Sequence, residues 1–156
     1  AVYMAGLTNA ATGDNFIQDF FGIDRATRET TSMRTAFSNF QNLVRVFPNS
    51  PYAQDALARM AYIKDALARH ELEIAKFYAK RKAWVAVANR VVGMLKQYPD
   101  TKATYEGLFL MQEAYEKMGL TALANDTQKI IDANKDKTFA PIEKPNEPDL
   151  KVPAVK

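Results

Sequence analysis

From Tyr52 to Lys80 the chain contains neither Gly nor Pro, and Ala, Leu, Lys, Arg and Glu dominate the run. Such a stretch reads as one unbroken helix of about 43 Å at roughly 1.5 Å per residue. Similar punctuation stands before and after it. "VFPNSPYAQDAL" starts at Val46 and "QYPDTKATYEGL" at Gln97, and each stops one helix at an aromatic and a Pro before capping the next. Ser50 is suited to cap with Pro51 at the first helical position, and Asp100 or Thr101 to cap the later helix. The two turns lie 51 residues apart, Phe47 to Tyr98. That is about one and a half times the roughly 34-residue period of the tetratricopeptide (TPR) helix pair. A long helix serving both as an extra helix and as the first helix of the next pair accounts for the half period.

The side-chain pattern agrees. Ile74, Ala75 and Tyr78 supply the large, small and aromatic positions of a first helix, Trp84, Val91 and Met94 follow on its partner, and Pro99 closes the unit. Met111, Tyr115, a turn at Gly119, Ala124 and Ile131 repeat it, and Ala36, Phe40, Leu43 and Pro48 read as an earlier second helix. The expected fold is therefore all-α: TPR-like antiparallel helix pairs stacked in a right-handed superhelix, with one long shared helix, over residues 1–134. Residues 13–32 are too long for a TPR turn, and Phe16, Phe20 and Phe21 mark them as an ordered insertion. Residues 135–156, with their prolines and mixed charges, read as a disordered or extended tail. The chain opens without an initiator Met or a helix cap, which suggests a piece of a longer protein.

Several chemistries find no support. There is no Cys, which excludes disulfides, thiolate zinc sites and cysteine nucleophiles. No apolar run approaches the roughly 18 residues of a membrane span. A net charge of +3 is well short of a nucleic-acid binder's footprint. The single histidine, His70, reads as a surface residue, and Glu71 and Glu73 diverge on a helix, so no enzyme and no cofactor or metal is expected. The cations Lys76, Lys80, Arg81 and Lys82 suit first of all the end of the long helix, where the macrodipole favours positive charge; a docking patch for an acidic surface is the second reading. Tyr62, Phe77, Tyr78, Trp84 and Tyr115 fall at core spacing.

One charge stands out. Trp84, Val87, Ala88, Val91, Met94 and Leu95 form the core stripe of their helix, and Arg90 lies about 100° from its centre. Around Arg90 are Ala86, Gly93 and Gln97, flanked by outward-leaning Val85 and Val92. A mid-helix Gly costs about 0.5–1 kcal/mol against Ala. The arrangement fits a guanidinium offered to a partner's carboxylate, or an internal salt bridge to a neighbouring helix; spacing leaves both open.

"GLTN", "FFGIDR", "FPNSPYAQDA", "AKRKAWVAVANRVVGMLKQYPDT" and "KIIDAN" resemble the BamD family, the TPR lipoproteins of the outer-membrane β-barrel assembly machinery. The resemblance runs from residue 1 to about 134, without the tail. It implies a non-enzymatic periplasmic scaffold, anchored to the outer membrane only through a lipidated Cys that this chain lacks. It implies docking onto the POTRA domains of BamA and contact with the lipoproteins BamC and BamE, and client outer-membrane proteins bound mainly by an N-terminal half. The family's arginine for the POTRA contact falls on Arg90, with Tyr78 and Arg81 on neighbouring positions. The chain is then expected to be the C-terminal portion, beginning inside the third of five units. The rival readings are a generic TPR adaptor holding an extended peptide in its concave groove, an enzyme using His70 or the carboxylates of the long helix, and nucleic-acid binding on Lys80–Lys82.

Overall fold

The computed structural model describes residues 2–12 and 23–146, and among them all regular structure is helical. Six helices follow in order: α1 (Val2–Thr12), α2 (Ile23–Val46), α3 (Ala53–Lys80), α4 (Trp84–Gln97), α5 (Lys102–Lys117) and α6 (Thr121–Asn134). Successive helices pack as pairs α1/α2, α3/α4 and α5/α6, while α2 on α3, α4 on α5 and α3 on α5 join one pair to the next. This is the TPR-like stacking expected of the sequence.

The long helix is continuous, as its composition requires. It buries Ala56, Ile63, Leu67, Leu72 and Ala75 along one stripe. Its start departs from the expectation: Ser50 Oγ accepts from the Tyr52 N–H at 3.3 Å, but the helix begins at Ala53, so Ser50 and Pro51 belong to the turn. At α5 the expected cap is in place, with Thr101 Oγ1 accepting from the Thr104 N–H at 3.2 Å. Gly119 takes a left-handed φ of 73° to end α5, which only Gly adopts without strain.

The core runs through all three pairs. Phe40, Val87 and Val91 are wholly buried and Met94 nearly so. Phe40 packs against α1, where Gly6 permits close approach: a Cβ there would stand 2.6 Å from the ring. Trp84, Tyr78, Tyr115 and Leu95 pack against this core as the spacing predicts. Two assignments need correction. Phe77 is 42% exposed rather than core, and Val92 packs against the core rather than outward.

The segment 13–32 divides in two. Residues 23–32 form the first turns of α2, with Glu29 buried, and residues 13–22, including Phe16, Phe20 and Phe21, lie outside the described residues. After α6, residues 138–146 take no regular structure and turn back over the helices.

Candidate functional site

Helix α4 buries Val87, Ala88, Val91 and Met94, which turns Arg90 toward α3. There Arg90 Nη1 donates to Glu71 Oε2 at 2.9 Å. The other oxygen of Glu71 lies 3.7 Å from Arg34 Nη2 of α2, and Arg34 Nη1 donates to Gln97 Oε1 at 3.3 Å. One carboxylate, 15% exposed, thus ties three helices together. The internal salt bridge left open by spacing is present. It does not consume the arginine, whose side chain remains 38% exposed.

These residues border a recess of about 470 Å³, lined by Arg34, Glu71, Tyr78, Arg90, Gly93 and Gln97 among others. A Cβ on Gly93 would meet no atom within 4 Å, so no internal contact requires glycine there. The Tyr98 hydroxyl is buried beside the recess without a hydrogen bond of ordinary geometry, and burial pushes its pKa up. Of the three residues singled out by resemblance, the structure brings Arg90 and Tyr78 to the recess. Arg81 is not among its lining: it follows α3, with its guanidinium 3.9 Å over the exposed Phe77 ring. Arg34 and Glu71 were not legible as site residues, because they meet Arg90 across helices and no local spacing signals it.

The cationic run at the end of α3 is partly engaged. Lys76 pairs with Glu73 at 2.8 Å, an i,i+3 contact on an exposed face.

His70 is half-buried in a second groove of about 850 Å³ between α3 and α5. Burial holds its imidazole below the ordinary range, opposed by Glu71 and reinforced by the charges of Arg90 and Arg34. The carboxylates of that groove have their own cations: Asp65 pairs with Arg69 at 3.0 Å, Glu73 with Lys76, Glu106 with Lys102 at 3.9 Å, and Asp100 with Lys64, which holds Asp100 below its usual range. The groove is thus of mixed sign.

A profile described as "YfiO: Outer membrane lipoprotein" matches residues 1–130. The chain is 99% identical over all its 156 residues to the "Outer membrane protein assembly factor BamD" of Haemophilus influenzae, covering 60% of that protein. To the protein of the same name from Pasteurella multocida it is 76% identical over 148 residues, 95% of this chain and 57% of the relative. To that of Vibrio cholerae it is 42% identical over 133 residues, 85% and 55% respectively. The chain therefore spans less than two thirds of these relatives. The matches do not support its expected place as a C-terminal portion, which is withdrawn. With 130 of its 156 residues matched, the chain belongs to the YfiO outer membrane lipoprotein family.

Proposed function

We propose that this chain is a non-enzymatic scaffold for outer-membrane protein assembly, and that the recess around Arg90 is its docking surface for the POTRA region of BamA. The relatives are named as assembly factors, which supports the general role. The observation that carries the docking reading is a half-exposed guanidinium fixed by Glu71 beside a helix surface left bare at Gly93. Glu71 satisfies only part of the fork of donors on Arg90, and a partner carboxylate could take up the remaining N–H groups in a charge-assisted pair. Tyr78 in the recess supplies an aromatic wall, and Arg81 with Phe77 forms a second, amphipathic contact. BamC and BamE are proposed as further partners, and the periplasmic face of the outer membrane as the site of action, held by a lipid anchor on the whole protein.

The test is the affinity of a soluble POTRA region for the wild type and for Arg90→Gln at equal helicity. A loss of binding on substitution supports the reading, and equal affinity overturns it. The rival generic adaptor holds a free peptide in its concave groove, whereas the groove between α3 and α5 is already partly filled by the chain's own residues 137–142.

A further inference from the structure

The family match stops at residue 130, within α6, and the chain continues beyond that helix. After α6 it returns across α5 to α3. Residues Lys137 to Ile142 form one wall of the 850 Å³ groove whose other walls come from those helices. Two anchors hold the segment. The Phe139 ring packs on Tyr105 of α5 at a centroid distance of 5.6 Å and a 37° interplanar angle. Further on, Arg59 of α3 donates from Nη2 to the Asn146 carbonyl oxygen at 2.7 Å.

Arg59 is itself a prepared donor. It is only 9% exposed, and its Nε donates to Asp55 at 2.6 Å, while Asp55 also accepts from the Tyr3 hydroxyl of α1. Tyr3, Asp55 and Arg59 thus link α1 to α3 and leave one arm of a guanidinium aimed at a main-chain carbonyl. Recognition of a main-chain oxygen carries no side-chain requirement. The aromatic contact at Phe139 supplies one. The pair describes a site for an extended segment: a ring at one end and a backbone carbonyl at the other.

We infer that the face built by α3 and α5 is a binding site for an extended peptide segment, and that its resident occupant is the chain's own tail, residues 137–146. The site takes a free segment of the same chemistry only when the tail leaves, so the tail acts as an internal competitor. Tethering gives that competitor a high effective concentration, so a modest intrinsic affinity is enough to keep the groove filled. This inference is independent of the Arg90 recess, which lies on other residues.

The absence of Cys makes single-site labelling of the full chain direct. A nitroxide at Ala140→Cys is expected to broaden amide resonances of α3 and α5 near Tyr62 and Lys102, and unbroadened resonances would overturn tail occupancy. A fluorescent peptide of residues 136–147 is then titrated into the full chain, as wild type and as Phe139→Ala. Loss of one aromatic contact weakens the internal competitor, so the peptide should bind the variant about tenfold more tightly. The same peptide carrying Phe139→Ala should lose that binding. Equal binding to both proteins, or binding to neither, overturns the claim that the groove is a peptide site, even where broadening is seen. Phe139 lies outside the helices, so the variant leaves the helical core intact.

Discussion

Arg90 Nη1 stands 2.9 Å from Glu71 Oε2, and the second oxygen of that carboxylate faces Arg34 at 3.7 Å. Glu71 is therefore shared between two cations on different helices, and its removal has consequences for both. Glu71→Gln leaves Arg34 and Arg90 facing each other without a counter-charge and should destabilise the free chain by about 1–3 kcal/mol. Arg90→Gln removes a partly exposed member and should cost only about 0–1 kcal/mol. Urea denaturation of the two variants checks the order, and a larger loss for Arg90→Gln would contradict it.

Two glycines, Gly93 on α4 and Gly6 on α1, should respond to substitution with opposite sign. Gly93→Ala adds a methyl in open space and removes the backbone freedom of a mid-helix Gly, so it should stabilise the free chain by about 0.5–1 kcal/mol. Gly6→Ala drives a Cβ to 2.6 Å from the Phe40 ring, which is wholly buried, and should cost about 1–3 kcal/mol. Thermal unfolding followed by circular dichroism separates the two. If Gly93 is kept small for a partner, Gly93→Leu should also weaken POTRA binding while leaving the fold intact.

Lys82 occupies the turn between α3 and α4 with a φ of 58°, the left-handed region that a side chain resists. Lys82→Gly should relieve that conformation and stabilise the chain by about 1 kcal/mol, offset in part by the greater freedom of Gly when unfolded. A lower melting temperature for the variant would contradict this.

His70 gives a pH dependence whose sign follows from its environment. Burial, reinforced by Arg90 and Arg34, holds the folded imidazole below its ordinary range despite the opposing Glu71. The unfolded chain therefore binds the proton more readily. The stability from His70 is complete above the unfolded pKa of about 6.5 and is lost as pH falls through the lower folded pKa. The fall in melting temperature between about pH 7.5 and about pH 5 should be smaller in His70→Gln than in the wild type, and an unchanged slope would contradict the assignment.

The residues show why some of this was legible in the sequence and some was not. A run free of Gly and Pro gave α3 because helix propensity and length act locally, and Thr101 was readable as a cap because its partner is three residues away. The start of α2 is not legible in the sequence because "TRETTS" carries β-branched and polar residues of modest propensity; burial of Glu29 and Met33 overrides them. Phe77 was misplaced because periodicity gives a stripe but not its edges. The Arg90 pair was undecidable because Glu71 lies on another helix, and which helices meet there is set by tertiary packing. The folding back of residues 137–146 had no sequence signal either, since Tyr105 and Arg59 become its partners only when α3 and α5 are side by side.

The measurement that bears most directly on the docking account is the dissociation constant of the full chain for a soluble BamA POTRA region, as wild type and as Arg90→Gln. Unfolding curves would establish that both are folded. Truncating one member of a desolvated charge pair costs about 2–5 kcal/mol, so the account predicts affinity weaker by about thirtyfold or more. Equal dissociation constants would contradict it and assign Arg90 to the internal bridge with Glu71 alone.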